Sequence, residues 1–308
     1  MTSTYHNPVL LHECITHLNI RPNGIYVDGT LGGGGHTEAI LKQNSSCKVL
    51  AFDVDQDAIK SAQERLLPFA SRIIIEQANF RQLRQILDVH KISAINGLLL
   101  DLGVSSFQLD HSQKGFSYRF DAPLKMQMND RESFSARDVV NEYDEEQLAD
   151  IFFHLGEEKH SRRIARAITK SRTQQPIETT TQLARVIMNI IPERFAKKTL
   201  SRIFQAIRIQ VNDELNNLRQ TLNDALEIID YGGRLAVISY HSLEDRIVKD
   251  FYRNEASDKI YDPNYPELSQ SKQPRLEIVT RKPIVSAENE VHENPRARSA
   301  KLRVAVRI

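Results

Sequence analysis

The sequence predicts an α/β chain of Rossmann type, built on a mostly parallel sheet and interrupted by an inserted helical domain. Three observations predict it. Four short apolar runs between Gly24 and Gly103 each end near Gly, Asp or another polar turn, helix-like patterns fill the gaps between them, and the strand pattern returns only at Gly232, after a long helical stretch. Strands that alternate with helices form parallel sheets covered on both faces, and their carboxyl ends line one edge, where such sheets hold ligands.

Taken in order, the predicted strands are Ile25 to Val27, Lys48 to Phe52, Arg72 to Glu76 and Gly97 to Leu100. The helices between them are His36 to Gln43, Gln56 to Leu67 and Phe80 to His90. Ser112 to Arg131 has scattered Gly, Pro and Met and no clear strand, whereas Ser135 to Leu226 reads as helical almost throughout. Within it lie an acidic stretch, Asp144 to Glu158, a basic stretch, Lys159 to Arg172, and Thr180 to Ile191, closed by Pro192. Strands resume at Gly232 to Tyr240, Arg275 to Thr280 and Lys301 to Ile308, and Asn254 to Pro274 reads as an exposed loop. The expected division is therefore residues 1–110 and 211–308 as two parts of one α/β domain, with residues 111–210 inserted as a helical substrate-recognition domain.

Composition permits this and excludes much else. At 40% hydrophobic and 26% charged residues over 308 positions, the chain can bury a large core and is not globally disordered. Two cysteines, Cys14 and Cys47, supply neither a disulfide framework nor a four-cysteine metal site, and are expected as buried thiols in a reducing compartment. Met1 to Leu11 lacks the basic-then-apolar pattern of a signal peptide and no apolar run approaches a membrane span, so the expectation is a cytoplasmic protein without a membrane partner. With 41 basic against 40 acidic residues, any affinity for nucleic acid must come from local clustering.

The chemistry-bearing motif is Asp28-Gly29-Thr30-Leu31-Gly32-Gly33-Gly34-Gly35-His36, placed between the first strand and the first helix. Glycines allow a sharp turn and close approach of backbone to ligand, and free amides at a helix start receive carboxylate or phosphate. Asp53 closes the second strand, where a carboxylate can accept both ribose hydroxyls of an adenosine; Asp55 and Asp57 read as a turn and a helix cap. Phe80, after the third strand, can lie against an adenine ring. Two acidic strand tips, Asp28 and Asp101, favour S-adenosylmethionine over NAD, since a ligand with ammonium and sulfonium groups suits carboxylates better than a pyrophosphate does. An NAD-dependent oxidoreductase and a non-catalytic RNA-binding or assembly factor are the alternatives that the residues alone leave open.

Eight ordered segments resemble the bacterial 16S ribosomal RNA cytosine-N4 methyltransferases, the RsmH family formerly called MraW. They are His6 to Leu11, Asp28 to His36, Asp101 to Ser106 with Gln108-Leu-Asp, Gly115-Phe-Ser, Arg163 to Ile168, Thr199 to Leu215, His241 to Lys249, and Asn294 to Ser299. The resemblance implies a class I S-adenosylmethionine-dependent methyltransferase fold and methylation of a cytosine in the decoding centre of 16S rRNA, within an assembled or nearly assembled small subunit. It implies that Gly34, Gly35 and His36 hold the methionyl end of S-adenosylmethionine, Asp53 the ribose, Phe80 and Asp101 the adenine surroundings, and Gln108 a remaining contact. Leu31-Gly32-Gly33 departs from the family, which often has Phe and a larger residue there.

The exocyclic amine of cytosine is a poor nucleophile, so the chemistry asks for placement and for acceptors of its protons. Asp101 and His241, at the tips of two strands, are the catalytic candidates; His241 can equally cap the next helix, and Glu244, Asp245 and Arg246 read as a charge network at its start. For RNA the candidates are Arg162, Arg163 and Arg166, on a helix whose apolar side is read as Ile164, Ala167 and Ile168, together with Arg296 and Arg298 before the last strand.

Overall fold

The computed structural model describes residues 8–104, 112–260 and 270–308. They fall into two compact units, Met1–Gly103 with Leu215–Ile308, and Val104–Glu214. The chain begins in the first unit with α1 (Leu11–Leu18), β1 (Ile25–Asp28), α2 (Gly35–Gln43), β2 (Lys48–Asp53), α3 (Gln56–Leu66), β3 (Ile73–Gln77), α4 (Leu83–Val89) and β4 (Ile95–Asp101). It then forms the helices α5 (Ala136–Glu142), α6 (Glu145–His154), α7 (Ser161–Arg172), α8 (Thr180–Met188) and α9 (Glu193–Asn212). The first unit is completed by α10 (Glu214–Ile228), β5 (Ile229–Ser239), α11 (Ser242–Glu255), β6 (Lys259–Ile260), β7 (Gln270–Ser271), β8 (Leu276–Ile278), β9 (Ile284–Val285), α12 (Glu288–Glu293) and β10 (Lys301–Arg307).

The main sheet runs β3-β2-β1-β4-β5-β10-β8, with β9 also on β10, while β6 and β7 form a separate ribbon. The first five strands are parallel, and β10 is antiparallel to its neighbours β5, β8 and β9. The near-continuous apolar strands serve two cores at once. Tyr26, Val49, Ala51, Leu99 and Ile238 enter the core on one face, while Val27, Leu50, Phe52, Leu100 and Val237 enter the core on the other. This is the pattern of a sheet buried on both sides, because successive side chains point to opposite faces. Strand order reverses at β1, whose neighbours are β2 and β4, and a crevice at such a switch point is where open α/β sheets hold ligands. Cys14 and Cys47 are both buried and unpaired, as expected.

Several elements differ from the sequence reading, each for a local reason. The segment read as one helix from Phe80 starts as a 3₁₀ turn, Phe80–Gln82, capped by Asn79, before α4 begins at Leu83. The acidic stretch read to Glu158 is helical only to His154. The chain turns away just beyond, where Glu157 has φ of 50°, and Gly156 fits there because a Cβ would lie 2.7 Å from the Phe152 carbonyl and 2.9 Å from that of Arg202. The region read as a loop from Asn254 begins inside α11, whose Glu255 accepts from Arg275 at 2.9 Å. Strand β5 begins three residues earlier than read, and β9 and α12 carried no periodic signal of their own.

The helical unit Val104–Glu214 has its own core, gathered around Val139, Phe152, Ile164, Leu183, Ile203 and Ile207. Phe152 is wholly buried there. Phe152→Ala should therefore cost about 3 to 5 kcal/mol of stability. Denaturant unfolding combined with hydrogen exchange checks this; protection should fall between residues 104 and 214 and stay near the parent's in β1, β2 and β4.

Candidate active site

Three parallel strands deliver carboxylates to one edge of the sheet: Asp28 from β1, Asp53 from β2 and Asp101 from β4. They do different jobs. Asp28 is buried, and accepts from the Thr30 amide at 3.1 Å and the Thr37 hydroxyl at 2.7 Å, so it binds both ends of the glycine turn together. Burial pushes its carboxyl above the ordinary range, with His36 and the two threonines opposing that shift. The place read from sequence as suited to a ligand's ammonium is thus occupied by the protein's own donors.

The turn itself is shaped by Gly32 and Gly34, with φ of 50° and 77°, in the left-handed region where a side chain is strained. A Cβ on Gly34 would also press Leu66 Cδ1 at 3.0 Å and Ala62 Cβ at 3.2 Å, so α3 closes one side of the turn. Gly34 is the residue before α2, and Gly35 its first residue. Asp53 Oδ2 accepts from the Gly32 amide at 2.8 Å, and Oδ1 from the Asp55 amide at 2.9 Å. Asp55 in turn caps α3 through the Asp57 amide. Burial raises Asp53 to about 6, against the pull of the two amides. Phe80 is half-buried, and a Cβ on Gly29 would lie 3.1 Å from its Cβ, so the ring's base sits against the start of the same turn.

Asp101 stands at the centre of a network that sequence reasoning did not find. Its amide donates to Thr30 Oγ1 at 2.6 Å, which fixes the tip of β4 to the turn after β1. Its Oδ1 accepts from the Tyr240 hydroxyl at 2.8 Å, and its Oδ2 lies 3.8 Å from His36 Nδ1. Burial and the neighbouring Asp101 charge hold the Tyr240 phenol well above its ordinary value, so it remains a donor. The carboxylate keeps 23% exposure. His36 itself is buried and its Nε2 meets the Val9 carbonyl at 3.0 Å, which makes it a bridge from the chain's start to Asp101 rather than an open contact surface. Thr30 and Tyr240 lie inside the motifs that sequence inspection marked, yet a hydroxyl at a strand tip carries no signal until the fold pairs it.

His241 caps α11: its Nδ1 accepts from the Glu244 amide at 3.4 Å, while Nε2 lies 3.2 Å from Glu244 Oε1. Nε2 is itself buried and makes no hydrogen bond. Asp245 pairs with Arg303 at 2.6 Å and Lys301 at 3.3 Å, so the expected charge network reaches across to β10. Gln108 lies outside the described residues. Arg162, Arg163 and Arg166 are exposed on α7, and Arg166 meets Glu145 at 3.2 Å. The apolar seam of that helix is Ile164, Ala165 and Ile168, so Ala165 and not Ala167 completes it. Arg298 is exposed and Arg296 half-exposed on a 3₁₀ turn, Pro295–Ser299, anchored by buried Ala297. Burial pushes both cysteine thiols up, and neither is placed as a nucleophile.

A doubly wound parallel sheet with an antiparallel strand near one end, a glycine turn after β1 and carboxylates at the tips of β2 and β4 defines a class I methyltransferase-type α/β domain, here carrying a helical insertion. Comparison with known proteins narrows the class. The signature described as the MraW methylase family matches residues 3–308, and the chain belongs to that family. Ribosomal RNA small subunit methyltransferase H of Carboxydothermus hydrogenoformans is 48% identical over 305 residues, covering 98% of each chain. The protein of the same name from Clostridioides difficile is 46% identical over 308 residues, covering 99% of each.

Tyr240→Phe removes the hydroxyl that donates to Asp101 and leaves the rest of the ring in place. It should cost up to about 1.5 to 3 kcal/mol, the range for a hydrogen bond to a charged acceptor. Chemical denaturation of variant and parent gives the number, and equal midpoints would mean that water replaces the phenol without penalty.

Proposed function

We propose that this protein transfers a methyl group from S-adenosylmethionine to small-subunit ribosomal RNA, at the exocyclic N4 of a cytosine in the decoding centre, acting in the cytoplasm on an assembled or nearly assembled subunit. The observation that carries this reading is membership of the MraW methylase family over residues 3–308, supported by a strand edge whose glycine turn and carboxylates suit an adenosine ligand. The relatives named above are ribosomal RNA methyltransferases of the small subunit.

The residues fit the cofactor. Gly32 and Gly34 hold the turn in a left-handed backbone that side chains would strain, and Asp53 ends β2 with a carboxylate already accepting two amides. In this reading Gly34, Gly35 and His36 shape the methionyl side, Asp53 takes the ribose, and Phe80 with Gln108 completes the surroundings. When bound, S-adenosylmethionine supplies an electrophilic methyl group. The chain's own task is to orient the amine, whose lone pair is delocalised into the cytosine ring. Asp101, steered by Tyr240 and His36, accepts a hydrogen bond from the amine at Oδ2 and takes its proton as nitrogen gains the methyl group. His241 shapes the start of α11, at the strand edge that the extruded base would enter. Arg162, Arg163, Arg166, Arg296 and Arg298 bind phosphates.

Two measurements test the reading. Nucleoside digestion and mass spectrometry after incubation with small subunits should reveal N4-methylcytidine; a product methylated on carbon-5 or ribose, or none, sinks it. Asp53 provides the second. A carboxylate near 6 must lose its proton before it accepts ribose hydroxyls, so calorimetric affinity for S-adenosylmethionine should be flat above about pH 7 and fall up to roughly tenfold per unit below about pH 6. Asp53→Ala should weaken binding by roughly 1.5 to 3 kcal/mol at neutral pH and abolish that dependence.

A further inference from the structure

Helix α9 opens with Glu193-Arg194-Phe195-Ala196-Lys197-Lys198, a segment to which the reading above gives no task. Ala196 is buried, while Arg194, Phe195, Lys197 and Lys198 are exposed. Phe195 keeps 46% of its surface in solvent, and the Arg194 guanidinium lies 4.7 Å from the centre of its ring. Phe195, Lys198 and Arg202 fall on one side of the helix, at spacings of three and four. Arg202 fixes what lies beside that face: its Nη1 is 3.5 Å from buried Glu158, and Gln205 donates to the Leu155 carbonyl at 3.3 Å. The α6–α7 turn therefore rests on α9 about 6 Å along the axis from Lys198 and about 10 Å from Phe195. That hairpin carries exposed Lys159, Arg162 and Arg163, and exposed Phe153 at the end of α6.

Six cations thus flank one part of the helical unit. Among the described residues none of Lys159, Arg162, Arg163, Arg194, Lys197 and Lys198 meets a carboxylate, in contrast to Arg137, Arg166 and Arg202 in the same unit. Unpaired cations around exposed aromatic rings match a polyanion with free aromatic faces. Single-stranded RNA has both, whereas a duplex hides its bases in the stack. A protein-binding patch would be expected to be poorer in lysine.

We propose that the first two turns of α9, with the adjoining α6–α7 turn, form a seat for single-stranded ribosomal RNA, in which Phe195 stacks an unpaired base under Arg194 and Lys197 and Lys198 hold the flanking phosphates. The proposal rests on the reading of the chain as an RNA methylase.

The test uses the full chain and a labelled single-stranded oligoribonucleotide, with a duplex of the same sequence as control. Phe195→Ala should weaken single-strand binding roughly 5- to 100-fold while leaving its salt slope unchanged, because stacking releases no counterions. Phe195→Leu, which keeps an apolar side chain without the ring, should lie close to Phe195→Ala. The pair Lys197→Ala with Lys198→Ala should flatten the salt slope by up to about one unit per lost contact. Calorimetric affinity for S-adenosylmethionine and the circular dichroism spectrum should match the parent's in every variant. Parent-like RNA binding in all of them overturns the seat, and so does loss of binding to whole subunits without loss of binding to the oligonucleotide, which would assign the surface to a protein. If the parent itself neither methylates subunits nor binds RNA, the methylase reading fails instead.

Discussion

The buried carboxylate of Asp28 is the interaction on which the rest of the strand edge depends. Its two oxygens join the amide of Thr30 at the entry of the glycine turn to the hydroxyl of Thr37 in the first turn of α2. A carboxylate in such a place is tolerated only because both oxygens find donors; without them its desolvation would oppose folding. Thr30, thus held, accepts the amide of Asp101 at 2.6 Å, which ties β4 to the same turn. Gly32, further along, gives its amide to Asp53 at the end of β2. One buried acid thereby sets the relative positions of the other two.

The three strand-tip acids illustrate how neighbours divide labour among identical side chains. Asp28 is fully committed to internal donors. Asp53 also accepts two amides, yet burial still raises it to about 6, so it holds its charge less firmly than an exposed aspartate and gains most from a ligand that donates hydrogen bonds. Asp101 keeps partial exposure and is steered by a phenol on one oxygen and a histidine beside the other. A side chain that must meet a substrate needs an open face and a fixed rotamer together, and Asp101 has both.

The helical unit follows a different logic. Its core is apolar and closed on itself, while its cations divide into those anchored to acids, such as Arg202 with Glu158, and those left unpaired at the surface. Anchored arginines position secondary structure; unpaired ones supply electrostatic potential. With 41 basic and 40 acidic residues in the whole chain, attraction for a polyanion has to come from local imbalance of this kind rather than from net charge.

By itself the sequence determined the alternation of strands and helices, the glycine turn at the end of β1, and the acids at the ends of β2 and β4, because these rest on short-range rules: period-two burial, glycine's freedom at positive φ, and a carboxylate closing an apolar run. It also determined that both cysteines would be buried. Only the tertiary structure decided that Asp28 serves the turn rather than an open site, that His36 bridges Val9 to Asp101, and that Tyr240 steers Asp101 across 139 residues of chain. It likewise moved the seam of α7 from Ala167 to Ala165 and stopped α6 at His154, where Gly156 passes close to the backbone of α9. Each of these depends on which groups meet after strands from distant parts of the chain line up. A hydrogen bond is specific to within a few tenths of an ångström, and nothing in the local order of residues encodes that distance.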